Sequence, residues 1–302
     1  MPMLRQSRAL IFLATTFVLL LASVFSPVSA SAQTARVVPE SLRIRAIGDA
    51  VTAGVGVGGN EAWASQVARI FSSPDYQNLA VAGSTTGSWM DLPVEEGSQD
   101  GQNFSTVRKI VTEDPDFVFM TMGGSMLLRL PLGPALGCQS FKDQKTQSDL
   151  FAQCVDGLVK EGLIQQRVMA VSFSLLARTV NTKVVIAGYV PPSPTVSFLS
   201  QWQIELLTQK INTELQKAVT AVGESGATWA ERIAYVPPPN TTNCAASSYG
   251  ILRVDPKRAS ENCPLRDPRF VVGSNGTLPG LQLQTELAQN AVSIIRAKGW
   301  MD

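Results

Sequence analysis

The chain has 302 residues, 25 Lys and Arg against 24 Asp and Glu, a formal net charge of +1 and only 16% charged residues. That balance leaves no basic footprint for nucleic acid and no charged tail. Histidine is absent altogether, which removes the commonest general base and the commonest metal ligand.

At the start of the chain, Arg5 and Arg8 precede an apolar stretch from Ala9 to Phe25, followed by Ser26-Pro27 and Ala30-Ser31-Ala32. A charged start, an apolar middle and an A-x-A site predict a secretory signal peptide over residues 1–32, cut after Ala32. An uncleaved anchor is the rival, because the run approaches the lower limit of a spanning helix. Residues 33–302 then form a single domain with no further stretch apolar enough to span a bilayer. Cys138, Cys154, Cys244 and Cys263 are an even set in a secreted chain, so two disulfides are expected. Three connectivities exist; Cys138–Cys154 with Cys244–Cys263 closes the shortest loops. Zinc ligation would want a C-x-x-C spacing that the chain lacks.

Apolar runs alternate with helix-period segments, the pattern of a parallel sheet wrapped by helices. Strands are predicted over 42–47, 77–82, 116–122, 183–190 and 232–236. Helices are predicted over 61–71, 104–111 and 163–178. A long one follows over 195–222, where Ile204, Leu207, Ile211, Leu215, Ala218 and Val222 make one apolar stripe. Gly223 and Gly226 are positioned to end it. The last helix is predicted to open at Pro279 and to run to Lys298. In open sheets of this kind ligands bind outside the carboxyl ends of the strands.

Four blocks fall at those ends. They are Gly48-Asp49-Ala50-Val51-Thr52, Asn78 to Ser84 with Gly83, Thr121-Met122-Gly123-Gly124-Ser125, and Asn275-Gly276-Thr277-Leu278-Pro279. Taken in order, they resemble the blocks of the SGNH (GDSL) hydrolases. The resemblance covers most of the chain after the signal segment. It implies a flavodoxin-like α/β three-layer sandwich around a five-stranded parallel sheet, and a parent activity of carboxylic ester hydrolysis. In that family a serine attacks, a histidine takes its proton and an aspartate orients the histidine. The serine and glycine N–H groups, with an asparagine side chain, form the oxyanion hole.

Matched block by block, Ala50 stands where the nucleophile belongs, Leu278 where the histidine does and Asn275 where the aspartate does. Gly83 keeps the oxyanion glycine, and Ser125 replaces the asparagine. A methyl group cannot attack a carbonyl, and losing a triad serine or histidine costs on the order of a millionfold in rate. The expectation is therefore a secreted, monomeric, cofactor-free and metal-free protein that lacks an intact triad. It would retain an acyl- or carboxylate-binding cleft at Ala50, Gly83 and Ser125. The alternatives are an esterase with a rewired nucleophile, for which Ser84, Ser125 and Thr52 are the nearby hydroxyls, and a structural or interaction protein. Asp49 is expected to hold its loop by hydrogen bonds. The glycines at 54, 56 and 59 also fit G-x-G-x-x-G after a strand. No acidic residue follows at the end of the second strand to hold a ribose, so a glycine loop at the rim of a cleft is the plainer reading.

Overall fold

Parallel strands covered on both faces are apolar almost throughout, and three stretches of this sequence come near that demand, the first interrupted by Arg43 and Arg45. In the computed structural model, which describes residues 41–94, 96, 98–124, 147–161, 163–191, 201–239 and 278–302, these stretches are β1 (Arg43–Gly48), β3 (Phe117–Thr121) and β4 (Lys183–Ala187). They form the middle of a five-stranded, wholly parallel sheet of order β2-β1-β3-β4-β5. The edges are β2 (Asp75–Asn78) and β5 (Ile233–Val236). This is the doubly wound order whose topological switch point lies between β1 and β3.

The helices are α1 (Ala50–Ala53), α2 (Trp63–Ile70), α3 (Phe104–Glu113), α4 (Gln147–Glu161), α5 (Ile164–Leu176), α6 (Gln201–Ser225) and α7 (Leu281–Ala297). They lie on both sides of the sheet. α2 packs on α7, while α5 packs on α3 and α6, and α4 on α6. The predicted stripe of α6, from Ile204 to Val222, is buried along its whole length. α6 runs through Gly223, however, and ends only before Gly226. A Cβ on Gly223 would lie 3.3 Å from Ala230 Cα, so its glycine serves close packing rather than termination. α7 begins at Leu281, with Gly280 as its N-cap, two residues after Pro279. α4 was not anticipated. Its core-facing residues, Phe151, Val155 and Val159, form too thin a stripe among polar neighbours to announce a helix.

β2 also departs from expectation. Its residues, Asp-Tyr-Gln-Asn, are polar and half-buried, whereas hydropathy favoured the segment 77–82. The pairing sets Asp75 opposite Arg43 and Asn78 opposite Ala46. The Leu79 N–H donates to Ala46 O (2.8 Å) and the Val81 N–H to Gly48 O (2.9 Å), so the apolar segment does run beside β1, towards its carboxyl end.

What holds β2 in register is Arg45, a cation only 3% exposed in the middle of β1. Its Nη1 and Nη2 donate to the two carboxylate oxygens of Asp75 (3.0 and 3.1 Å) and its Nε to Glu113 Oε2 (2.6 Å). Strand, edge and α3 are thereby joined at the amino end of the sheet. The guanidinium holds the Asp75 carboxyl below the usual carboxylate range, chiefly through this hydrogen bond. A depressed carboxyl adds stability above its unfolded value near about 3.9, and that stability is lost as pH falls through the folded value. Arg45→Met should therefore cost about 2–3 kcal/mol at neutral pH, below the usual cost of breaking a fully buried pair because both carboxylates keep some solvent. Urea unfolding of both proteins at pH 7 and at pH 3 checks this, and the gap should narrow at the lower pH.

Candidate functional site

The carboxyl ends of β1 and β3 approach so closely that only glycine fits between them. Gly48 ends β1 at φ +119°, and a Cβ there would lie 2.1 Å from Thr121 O. The next N–H, of Asp49, donates to that same carbonyl at 2.9 Å. Asp49 then caps α1, its Oδ1 accepting from the Val51 N–H at 3.1 Å. The single turn closes at Gly54, left-handed at φ +73°.

Asp49 is almost completely buried, and its Oδ2 accepts a hydrogen bond from the Tyr189 hydroxyl. Tyr189 follows β4 and is held by α6: its N–H donates to Asn212 Oδ1 (2.7 Å) and its carbonyl accepts from Asn212 Nδ2 (2.8 Å). The ring lies against Gly124 so tightly that a Cβ on that glycine would fall 2.4 Å from it. Block one, block three and the end of β4 therefore meet on one phenol. Burial, reinforced by the Asp49 charge, pushes the Tyr189 hydroxyl well above its ordinary value. Asp49 has the loop-holding geometry expected of it.

The Gly83 loop is tied to the same place. Val81 N–H and Ser84 Oγ–H both donate to Gly48 O, at 2.9 and 3.0 Å, and Asn78 Nδ2 donates to Thr52 O at 2.9 Å. Gly83 is left-handed, with open space where a Cβ would point. Ala50 is half-buried. Among the described residues no acceptor takes the N–H of Ala50 or of Gly83. Block four joins through α7: the fully buried Gln284 donates to Val51 O (3.2 Å) and accepts from the Trp63 N–H (2.9 Å). Leu278 is half-buried and packs against the core. Ser125 and Asn275 lie outside the described residues, as do Cys138, Cys244, Cys263 and the signal segment. Cys154, on α4, is not a free thiol.

Two of the three hydroxyls considered as substitute nucleophiles are built into the frame. Ser84 Oγ is buried, donating to Gly48 O and accepting from Trp89 Nε1 at 3.0 Å. Thr52 Oγ1 is fully buried and accepts from the Thr121 N–H at 3.0 Å. Trp89 is itself fully buried, so its role is packing. Of the glycines in the 54–59 loop, Gly54 closes α1. Asp75, the acidic residue just before the predicted second strand, opens β2 at the amino edge and is engaged by Arg45. Among the described residues no cluster of Cys, Asp or Glu is arranged to hold a metal ion.

Sequence reasoning missed Tyr189, Asn212 and Gln284. Only Gln284 left a signal, as a polar residue beside Leu283 and Leu287 on the buried face of α7.

Burial raises three phenols: the buried Tyr189, the half-buried Tyr235 and the half-buried Tyr76, which is pushed up to about 12. For a raised phenol the stabilisation is complete below the unfolded value of about 10 and is lost as pH climbs towards the folded value. Ionisation of these three tyrosines, read by ultraviolet absorbance, should therefore coincide with alkaline loss of circular dichroism. Reversible ionisation of all three near pH 10 in the folded protein would contradict it. Tyr189→Phe, which takes a donor from the Asp49 carboxylate, should cost about 1–3 kcal/mol in urea unfolding.

No protein-family model matches the sequence, and no curated protein sequence does. Solved structures do match. The phospholipase A1 of Streptomyces albidoflavus NA297 aligns at TM-score 0.51 and 14% identity, over 83% of this chain and 99% of that one. The extracellular lipase of Streptomyces rimosus aligns at TM-score 0.50 and 14% identity, over 83% and 100%. A GDSL-like lipase from Parabacteroides merdae aligns more loosely, at TM-score 0.43 and 12% identity, over 86% and 97%. At such identities the likeness is one of fold alone, and the chain shares the α/β fold of the two Streptomyces enzymes.

Proposed function

We propose that this is a secreted, non-catalytic protein of SGNH hydrolase fold that binds the acyl or carboxylate end of a ligand at the carboxyl edge of its sheet without cleaving it. The observation that carries the reading is at Ala50. It begins α1 with a methyl side chain and an N–H that no described residue accepts, and the N–H of Gly83, in the loop bonded to Gly48 O, is equally unclaimed. Backbone donors need no side chain, so this half of an anion hole survives the loss of a nucleophile. The nearest buried hydroxyls, Ser84 and Thr52, are committed to main-chain bonds. Taking either as a nucleophile would break the frame and would still leave it without a base.

Secretion follows from the signal-like residues 1–32, and with it the pairing Cys138–Cys154 and Cys244–Cys263. Each of these bridges would close a loop of about 15–20 residues, worth roughly 3 kcal/mol in the chain-entropy model.

The protein should give no turnover of short or long acyl esters at neutral pH beyond the uncatalysed rate. Hydrolysis abolished by a serine-reactive inhibitor would overturn the reading. Ala50→Ser alone should stay inert, since its hydroxyl lacks a base. Ala50→Ser, Asn275→Asp and Leu278→His together should give measurable esterase activity, and adding Ser125→Asn should raise it by up to about a hundredfold. A well-folded quadruple variant without activity would contradict the block-four correspondence.

A further inference from the structure

A concavity lies at the amino edge of the sheet, where β4 and β5 begin beside the end of α7. Lys183, Arg232, Lys298, Glu231 and Trp300 line a cleft of about 510 Å³ there, within the size range of small-ligand sites. None of the three cations forms an ion pair among the described residues.

Their bonds go to neutral oxygens instead. Arg232 donates from Nε to Thr182 O (3.1 Å), from Nη1 to Leu176 O (3.2 Å) and from Nη2 to Thr179 O and Oγ1 (3.0 and 2.9 Å). Lys298 Nζ donates to Ala230 O (2.9 Å) and Lys183 Nζ to Asn181 O (3.4 Å). Each ammonium keeps donors to spare, and so does Nη1 of Arg232. Burial lowers the affinity of the guanidinium for its proton, with the nearby Asp114 charge working the other way. That carboxylate is already occupied by the N–H groups of Val180 and Asn181 and by the Thr182 hydroxyl. The Trp300 indole is fixed through Nε1 to Glu231 O (2.8 Å) and forms part of the wall.

The three cations outnumber the Glu231 carboxylate on the wall and the Asp114 carboxylate behind Arg232, so the cleft keeps a positive excess suited to an anion such as a phosphate group. We propose that this cleft is a binding site for a phosphate group, gripped by Lys183, Lys298 and Arg232 beside Trp300. Ammonium and guanidinium donors make their strongest hydrogen bonds to such oxyanions. The site shares no residue with the proposed acyl-binding cleft, so either can fail without the other.

The test titrates the full-length protein with inorganic phosphate, and in parallel with phenyl phosphate, at ionic strength held constant with potassium chloride. Tryptophan fluorescence is the readout. The expected result is a saturable change that is missing in Trp300→Phe. It should need at least about tenfold more phosphate in the Lys183→Gln, Lys298→Gln double variant, as befits the loss of charged hydrogen bonds. Tighter binding of phenyl phosphate would identify an organic phosphate as the ligand, and equal binding the free ion. Should the double variant not fold, the exposed Lys298→Gln carries the test, with several-fold weaker binding expected. A change reproduced by chloride alone, one that does not saturate, or equal affinity in a folded variant overturns the proposal.

Discussion

A buried carboxylate must be satisfied by its immediate surroundings, and the carboxyl edge of this sheet is arranged around that demand at Asp49. One oxygen caps α1, which sets the direction of the first-turn N–H groups; the other holds the Tyr189 hydroxyl. Through Tyr189 the constraint passes to the Gly124 turn after β3 and to Asn212 on α6. Through Gly48 O it passes to the Gly83 loop, which bonds there twice. The placement of α1 and of the Gly83 loop thus depends on engaged buried groups rather than on the chemistry of residue 50. A site can lose its nucleophile and keep its geometry under those conditions.

The two ends of the sheet solve different problems. At the amino edge, ions are used for cohesion. Arg45 joins β1 to β2 and α3, while Asp114, left-handed at the end of α3, receives the start of β4. At the carboxyl edge, among the described residues, cohesion comes from neutral hydrogen bonds, glycine contacts and the Asp49–Tyr189 link. Charge at the amino edge is therefore largely spent on structure, apart from the cluster at Lys183, Arg232 and Lys298, whose positive charge has no carboxylate bonded to it among the described residues.

Much of the frame was legible in the sequence because central parallel strands are apolar runs and α6 carries an unbroken stripe. β2 was read too far along because its paired residues are polar, and their placement is decided by Arg45, a long-range ion contact that hydropathy cannot show. α7 was expected to open at Pro279, but Gly280 intervenes as the cap. At the site, glycine positions were readable as motif, and Gly48 and Gly124 have steric reasons that the motif encodes. Tyr189 was not readable, because an aromatic residue inside the predicted strand 183–190 looks like any other core residue until its hydroxyl is seen against Asp49, past the observed end of β4 at Ala187. The blocks also gave Ser84 and Thr52 equal standing with Ser125 as hydroxyls. Only the three-dimensional hydrogen bonds show Ser84 and Thr52 to be framework hydroxyls.

The central claim is that the N–H groups of Ala50 and Gly83 still receive an anionic or acyl oxygen although residue 50 cannot react. The most direct test is an amide NMR titration of the ¹⁵N-labelled protein with butyrate at constant ionic strength. The account predicts saturable shifts concentrated at Ala50 and Gly83, with the amino-edge resonances of Lys183 and Trp300 unmoved. Butyrate that leaves both amides unshifted, or that moves resonances across the whole surface without saturation, would contradict it.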